Sequence, residues 1–380
     1  MMRSLRPLRP GENAPPPSAP PMPDAHWLDR FRRALSAWYG RHARDLPWRG
    51  TRDPYAVLIS EMMLQQTQVA TVRPYFERFI AALPDFASLA NAEEEKVLRL
   101  WEGLGYYRRA RQLHQAARVI VAQHGGQFPR DPKAAQQLPG IGRYTAGAVL
   151  SIAFDLRVPI LEANTTRLYC RLLGYRDDPW SAQGQHLLWA FAETVLPPRH
   201  AGRFNQALME LGSVVCTRSR PRCGACPVAM LCAAKREGRQ VDIPRSRPKP
   251  PIQLRREAAV IIRHKGGVLL RRCGPEERWA GLWDFPRVEL PAGTNGVPLP
   301  ARADALEEAI GRQTGVLVQL GRLLVTLRHQ VTRFRITLEC YEAARISGRL
   351  RKGNELRWVR QSDLARYPLS STGRKLAALV

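Results

Sequence analysis

Residues 131–154, DPKAAQQLPGIGRYTAGAVLSIAF, form the stretch that decides the fold. Asp131 and Pro132 suit the N-cap and the first position of a helix, and the apolar run 146–154 suits a second helix. Between them, residues 138–142 (LPGIG) predict a tight hairpin whose glycines leave backbone N–H groups exposed at the N-terminus of the second helix. Such donors bind a phosphate without reading a base. An ordinary helix–turn–helix corner is the alternative.

Four of the seven cysteines lie together within residues 209–235, MELGSVVCTRSRPRCGACPVAMLCAAK. They are Cys216, Cys223, Cys226 and Cys232, with six, two and five residues between them. A four-iron cluster is the favoured interpretation, because ligation by four thiolates suits one compact loop that a longer spacing closes. A structural zinc ion and a set of free, reduced thiols are the alternatives.

The whole chain is strongly basic. Its 380 residues include 59 Lys and Arg against 33 Asp and Glu, a formal net charge of +26. This charge exceeds what solubility needs and indicates a polyanionic partner, whereas a merely solvated basic surface is the alternative. The cysteine loop would present its own cations to phosphates. These cations are Arg218, Arg220, Arg222, Lys235 and Arg236.

Composition also predicts how the chain is divided. Residues 1–25 are rich in proline without a hydrophobic run, which predicts a disordered tail and not a signal peptide. Residues 26–235 have helical periodicity, residues 236–254 read as an extended basic linker, and residues 255–380 form a second domain. Clustered cysteines favour a reducing compartment, and no stretch reaches membrane-spanning length. We therefore expect a cytoplasmic protein without a membrane partner.

Glu61 stands in an apolar helical segment, residues 57–63 (VLISEMM). A buried charge is costly there, so the carboxylate either faces water or has a raised pKa in a pocket. From these residues alone, exposure to water is the favoured interpretation.

An aromatic turn precedes the next helix. Tyr106 and Tyr107 stand beside three arginines, a combination of flat rings and cations that suits single-stranded or distorted nucleic acid. The arginines are Arg108, Arg109 and Arg111. A core aromatic pair with a solvated arginine face is the alternative.

The period of the sequence changes after the linker. Residues 257–273 (EAAVIIRHKGGVLLRRC) alternate around a Gly-Gly turn and predict a β-hairpin. Residues 333–343 and 356–359 repeat strand signals, and a helix is predicted over 301–315. The C-terminal half is therefore expected to be an α+β domain.

Taken together, these motifs resemble the helix–hairpin–helix DNA glycosylases that carry an iron–sulfur cluster, and within them the MutY-type adenine DNA glycosylases. The resemblance rests on LPGIG (138–142), the four-cysteine loop, SEMMLQQTQVATVRPYF (60–76) and WEGLGYYRRARQLH (101–114), and it covers roughly residues 27–235. It implies a mainly α helix–hairpin–helix glycosylase fold with one [4Fe-4S] cluster held by the four cysteines. Residues 255–380 are similar to the Nudix-like domain of the same proteins.

The resemblance also implies roles for individual residues. Glu61 matches the acid that protonates adenine, and Asn164 matches the amide that positions the catalytic water. Gln66 and Tyr106 match residues that enter the base stack beside the mismatch. Contacts to DNA are further expected from the hairpin, through Gly140, Gly142 and Arg143.

Two positions depart from the family patterns. Relatives that cut the strand have a lysine nucleophile where this chain has Tyr144, so a monofunctional glycosylase is expected. The family aspartate in V-D-G-N is Glu162 here, one methylene longer, and a displacement near 1 Å at such a group costs on the order of a hundredfold in rate. We expect Glu162 to keep the role of stabilising the positive charge on the sugar.

In the C-terminal half, Thr332 and Arg333 align with the turn that recognises 8-oxoguanine in the family. The helix has only Glu307 and Glu308 where Nudix hydrolases have a glutamate cluster for magnesium, so hydrolysis is not expected.

The expected activity is removal of adenine opposite 8-oxoguanine or guanine in double-stranded DNA, by a monomer. The alternatives are a thymine-mismatch or oxidised-pyrimidine glycosylase and a lesion-binding protein with impaired catalysis.

Overall fold

A computed structural model of the chain describes residues 20–245, 250–290, 299–353 and 355–380, with backbone only for residues 299–302. Most of the predicted tail, residues 1–25, and part of the predicted linker lie outside these ranges. Within the described residues the helices are α1 (Ala25–His42), α2 (Pro54–Leu64), α3 (Val69–Ala82), α4 (Phe86–Asn91), α5 (Glu94–Trp101), α6 (Arg108–His124), α7 (Pro132–Gln137), α8 (Arg143–Phe154), α9 (Ala163–Leu173), α10 (Ala182–Val195), α11 (Ala201–Val214), α12 (Ala233–Arg236), α13 (Leu299–Thr314) and α14 (Ser371–Ala377). The strands are β1 (Gln253–His264), β2 (Gly267–Arg272), β3 (Trp283–Asp284), β4 (Arg287–Glu289), β5 (Val316–Val331), β6 (Phe334–Gly348) and β7 (Leu356–Arg360).

The chain folds into two compact units, each made of two segments. One unit comprises Met1–Ala43 and Pro159–Arg247, and the other comprises Arg44–Val158 and Pro248–Val380. The domain limits predicted from composition are continuous segments of the chain, whereas each unit combines two segments. The predicted limits therefore remain predictions.

The first unit is helical. Its core joins α1 to α9, α10 and α11 through aromatic and leucine side chains, with Phe31, Phe191 and Leu208 fully buried. The cysteine loop follows α11 and contains short 3₁₀ turns at Cys223–Ala225 and Ala229–Leu231. The loop packs on the same core, because Cys216 and Val228 are buried within it.

In the second unit, helices α2 to α8 form a helical layer. Asp131 caps α7 ahead of Pro132, as the sequence predicts, and Asp53 caps α2 ahead of Pro54 in the same way. The predicted hairpin is confirmed: α7 ends at Gln137, Gly140 has φ +74°, and α8 starts at Arg143. Helix α2 packs on α8 and is buried on all sides.

The same unit contains a mixed sheet. Its strands run β3-β2-β1-β6-β5, with β1 and β6 parallel, while β4 pairs with β1 and β7 pairs with β2. The predicted hairpin is confirmed, since β1 and β2 are antiparallel with His264 opposite Gly267. One face packs against α13 through Ile310, and the other packs against α14 through Leu376.

None of the helices in the described ranges has the length and apolar character of a membrane-spanning segment.

Candidate active site and nucleic-acid interface

Glu61 is buried in the middle of α2, with 5% of its surface exposed. The Tyr144 hydroxyl, on the first turn of α8, donates a hydrogen bond to Glu61 Oε2 at 2.5 Å. The interpretation that Glu61 faces water is therefore wrong. Helix α2 has no solvent side, because Val57, Ile59 and their neighbours are buried all around it. The arrangement is a carboxyl group held by a phenol in an apolar environment, which suits a proton donor.

Gln66 and Tyr106 are exposed residues with left-handed backbones. Gln66 has φ +58° and Tyr106 has φ +47°, and half of the Tyr106 side chain is exposed. A residue with a Cβ pays about 1 kcal/mol or more for this conformation, so the surrounding structure must hold it. Gln66 follows the C-terminus of α2, and Tyr106 ends the turn before α6.

Arg109 connects these two turns. It is 7% exposed, and its Nη1 donates to the carbonyls of Met62, Met63 and Gln65 at 2.7, 3.1 and 2.5 Å. Its Nη2 donates to the carbonyl of Gly105 at 3.2 Å. Its guanidinium also lies over the Tyr106 ring, 5.4 Å from the centroid. One buried cation thus holds the backbone of both turns, the one after α2 and the one before α6.

The burial of Arg109 corrects its predicted role as a phosphate-binding cation. Desolvation lowers its pKa to about 10, which leaves it charged at neutral pH. The sequence did contain a signal, because Arg109 shares a helical face with Leu113, Ala116 and Ile120, all buried. Arg108, one position earlier, is exposed.

The hairpin leaves the N-terminus of α8 without a side-chain cap. Gly142 is the N-cap residue, and a Cβ built on it would meet no atom within 4 Å. Gly140 is different, because its φ is +74° and a Cβ would lie 2.6 Å from Gln112 Cβ. Open space before an uncapped helix start is what a bound phosphate requires.

In the other unit, Glu162 is the N-cap of α9. Its carboxylate accepts hydrogen bonds from the backbone N–H groups of Asn164 at 2.8 Å and Thr165 at 2.9 Å. Burial raises its pKa, although these two hydrogen bonds oppose the shift. The Asn164 amide donates to the same carboxylate at 3.2 Å, and Arg167 donates to the amide oxygen at 2.8 Å. Glu162 and Asn164 therefore form one hydrogen-bonded group.

All four cysteines of the loop line a single pocket. Arg171, 1% exposed, donates from Nη1 to Cys216 Sγ at 3.2 Å and to the carbonyl of Thr217 at 2.7 Å. Burial raises the pKa of the Cys226 thiol to about 12. In the ranges that the structure describes, no three His, Cys, Asp or Glu side chains are placed to hold a single metal ion. The donor set of four sulfurs around one pocket, with an N–H directed at sulfur, fits a larger cluster.

Thr332 and Arg333 form the two-residue turn between β5 and β6. Val331 pairs with Phe334 across it, Thr332 has φ +51°, and both turn residues are exposed. No pattern in the sequence predicts the neighbouring cluster, where Arg278 lies over the rings of Trp279 and Phe334, 5.1 and 5.4 Å from their centroids.

Comparisons with known proteins agree with this architecture. Residues 59–193 match the HhH-GPD superfamily base excision DNA repair protein family, and residues 257–379 match the NUDIX domain. The predicted helix–hairpin–helix fold with a C-terminal Nudix-like domain is thereby confirmed.

Adenine DNA glycosylases stand among the relatives. The chain is 44% identical over 269 residues to that of Rattus norvegicus, covering 68% of this chain and 51% of the relative. It is 30% identical over 411 residues to that of Schizosaccharomyces pombe, covering 92% and 88%. A solved thermostable thymine-DNA glycosylase superposes with a TM-score of 0.52 at 30% identity, covering 56% of this chain and 98% of that chain. The chain spans about half the length of the rodent relatives it matches. Similarity along nearly its whole length to the yeast protein shows that the chain belongs to the adenine DNA glycosylase family, with an HhH-GPD part followed by a NUDIX domain.

Proposed function

We propose that this protein removes adenine from double-stranded DNA where adenine is paired with 8-oxoguanine or guanine, and leaves an abasic site without cutting the strand. The observation that carries the proposal is the buried Glu61 with the Tyr144 hydroxyl 2.5 Å from its carboxyl oxygen. Family membership supplies the substrate class.

Glu61 is the general acid of the proposed mechanism. Its carboxyl group gives a proton to a ring nitrogen of adenine, so that the base leaves with the electron pair of the N-glycosidic bond. The sugar is left with positive charge, which the carboxylate of Glu162 stabilises. Asn164 orients a water molecule whose oxygen bonds to the sugar carbon, and the proton released by the water restores Glu61.

Tyr144 supports the monofunctional part of the proposal. Cleavage of the strand through a Schiff base requires an amine nucleophile. The Tyr144 phenol, which is hydrogen-bonded to Glu61, cannot replace an amine in this reaction. The abasic product is therefore released intact.

Extrusion of the adenine is assigned to Gln66 and Tyr106. Both are exposed, and their backbones are held in advance, which lowers the entropy lost when they enter the base stack. Gly140, Gly142 and Arg143 bind a backbone phosphate at the start of α8. Thr332 and Arg333 contact the 8-oxoguanine of the other strand, where the threonine hydroxyl and the guanidinium supply polar groups.

We assign one [4Fe-4S] cluster to Cys216, Cys223, Cys226 and Cys232. When bound, the cluster supplies a rigid centre that fixes the basic loop, and glycosidic cleavage needs no electron from it. Thiols of this kind require a reducing, intracellular environment.

Substitution of a cluster ligand tests this assignment. Cys223→Ser is expected to abolish DNA affinity or folding, and to remove the iron from the purified protein. Cys273→Ser, at a cysteine outside the loop, is the control for iron content. Full activity and full iron content in Cys223→Ser would refute the assignment.

Single-turnover base release tests the activity. Duplexes with adenine opposite 8-oxoguanine, guanine or thymine are compared, with thymine opposite guanine as a control and strand breaks read before and after alkali. We expect fast release opposite 8-oxoguanine, breaks only after alkali, and no release by Glu61→Gln, which keeps the shape but has no acidic proton.

Two other outcomes identify the alternatives. Release of thymine opposite guanine would point to the activity named for the superposed thymine-DNA glycosylase. Tight binding without release would identify a lesion-binding protein, which the longer side chain of Glu162 makes worth testing.

A further inference from the structure

The turn that carries Tyr106 starts at Glu102. This first residue is held by α14, the helix that packs on one face of the sheet. Glu102 follows α5 directly, and its side chain is 8% exposed. Arg374 of α14 donates to it through two atoms, from Nε to Oε1 at 2.7 Å and from Nη2 to Oε2 at 2.9 Å. The backbone N–H of Leu369 adds a hydrogen bond at 3.2 Å. A bidentate pair of this kind fixes direction as well as distance.

Arg374 is itself held by its own segment. Its Nη1 donates to the carbonyl of Leu364 at 3.0 Å, and its Nη2 donates to that of Tyr367 at 2.7 Å. The guanidinium therefore cannot follow Glu102 if the turn moves away, because its remaining donors bind the backbone that leads into α14.

The turn transmits the position of Glu102 to Tyr106. Gly103 has φ +104°, and its backbone N–H donates to the Tyr107 hydroxyl at 3.1 Å. A Cβ at Gly103 would lie 2.2 Å from the Tyr75 hydroxyl, so the backbone is in close contact on that side too. The Trp101 indole donates to the carbonyl of Gly105 at 3.2 Å. These contacts leave the four residues after Glu102 little freedom.

On the sheet side, the connection starts at Phe334, the residue after the Thr332–Arg333 turn. The Arg278 guanidinium lies over the Phe334 and Trp279 rings. Arg287 lies 4.6 Å from the Trp279 ring centroid, and its Nη2 donates to Thr372 Oγ1 of α14 at 3.1 Å.

We propose that the Arg374–Glu102 pair couples the sheet to the Tyr106 turn, so that recognition of the base opposite adenine sets the position of the residue that extrudes the adenine. Both are positioning residues, and the inference rests on the proposed function for the identity of the bases. Another ion pair between α5 and the sheet, Arg272 with Glu94 at 3.0 Å, lies at the first residue of α5, a helix length away from the turn.

That second pair gives a matched control. Arg374→Gln and Glu102→Gln each remove the bidentate pair with little change in volume, whereas Glu94→Gln removes the ion pair between α5 and β2 without touching the turn. The double variant Arg374→Gln/Glu102→Gln completes a cycle, and we expect its effect to be smaller than the sum of the two single effects, because both single variants lose the same bidentate pair.

Hydrogen exchange of the DNA-free protein is measured first. Peptides covering residues 103–108 are expected to exchange about tenfold faster in Arg374→Gln and Glu102→Gln, and at the normal rate in Glu94→Gln. This experiment needs no substrate, so it decides whether the pair holds the turn even if the protein releases no adenine. Equal exchange in all variants would overturn the inference.

Base release then measures the coupling. In Arg374→Gln the rate opposite 8-oxoguanine is expected to fall about tenfold, while the rate opposite guanine changes much less, so that the preference between the two partner bases is reduced. The same loss opposite both bases, or an equal loss in Glu94→Gln, would mean that the pair only stabilises the fold and would overturn the inference. If Arg374→Gln does not fold, Arg374→Lys takes its place, because it keeps the charge and loses the bidentate geometry.

Discussion

Tyr144 holds the proposed acid, Glu61, by a short hydrogen bond of 2.5 Å. Tyr144→Phe removes the hydroxyl and leaves the ring. A hydrogen bond to a charged or acidic group contributes about 1.5–3 kcal/mol, so we expect adenine release to slow by roughly tenfold to a hundredfold, with DNA affinity retained. Single-turnover kinetics measure the rate, and a binding titration measures the affinity.

Tyr169→Phe is the matched control for that substitution. The Tyr169 hydroxyl is buried in the other unit and has no hydrogen-bond partner among the residues that the structure describes. Its removal should leave the rate unchanged and the free energy of unfolding equal or higher, because an unsatisfied polar group is lost. An equal loss of rate in both variants would show that Tyr144 has no special role.

Glu162 makes the rate depend on pH in a definite direction. Burial raises its pKa above the usual 4.5, and only the ionised form stabilises the charge on the sugar. We therefore expect the rate to fall with decreasing pH at a pH higher than 4.5, and this acid limb to disappear in Glu162→Gln, whose rate is low throughout. A pH–rate profile from single turnovers checks this.

Glu162 affects stability and rate in opposite directions of pH: it supports the rate at higher pH and stabilises the fold at lower pH. A carboxyl whose pKa is raised in the folded state binds its proton more tightly there, so its contribution to the free energy of unfolding is full below the unfolded pKa and is lost as pH rises through the folded one. The pH of best activity thus lies above the pH at which this group stabilises most. An unchanged profile in Glu162→Gln, or an ordinary rate in Glu162→Ala, would remove Glu162 from the mechanism.

At the scale of elements, Arg109 joins the end of α2 to the turn before α6. Arg109→Lys keeps the charge, but an ammonium group cannot reach carbonyls on both sides. Each buried acceptor left without a donor costs about 1–3 kcal/mol, so we expect the free energy of unfolding to fall by roughly 3 kcal/mol. Denaturant unfolding measures this loss, and fluorescence of 2-aminopurine in place of adenine measures the extrusion.

Arg108→Lys is the control at the neighbouring position, because Arg108 is exposed. It should change the free energy of unfolding by less than about 0.5 kcal/mol. If Arg109→Lys and Arg108→Lys were equally mild, the two turns would be held by other contacts.

These elements also show what the sequence could predict. The hairpin at 138–142, the strands around Lys265 and Gly266, and the helix before β5 were all predicted, because glycine, proline and local periodicity act over a few residues. The burial of Glu61 and Arg109 was not predicted, because it depends on helices that meet only after the chain has folded. The burial of Arg109 could have been predicted, because Arg109 shares a helical face with Leu113. No local pattern reveals that Glu102 would contact Arg374.

At the scale of the whole molecule, local sequence patterns could not predict that each unit combines two separate segments of the chain. Residues 44–158 and 248–380 associate through contacts such as Glu95 with the indole of Trp283 at 2.9 Å, which are far apart in sequence. Periodicity identifies helices and strands, but the choice of partner between segments depends on a few specific side chains.

The net charge of +26 predicts that binding to DNA depends strongly on salt. Binding to DNA releases condensed counterions, so log affinity should fall linearly with log salt, with a slope near −0.9 for each phosphate contact. Arg220 is exposed in the cysteine loop, and Arg220→Gln should weaken binding to damaged and undamaged duplexes equally and reduce the slope by about one. Arg312→Gln on α13, whose arginine is exposed and paired with Glu308, is the control and should leave the slope unchanged. Titrations from 50 to 200 mM salt measure the slopes. A shallower slope for Arg312→Gln than for Arg220→Gln would place the DNA contact at α13 instead of the cysteine loop.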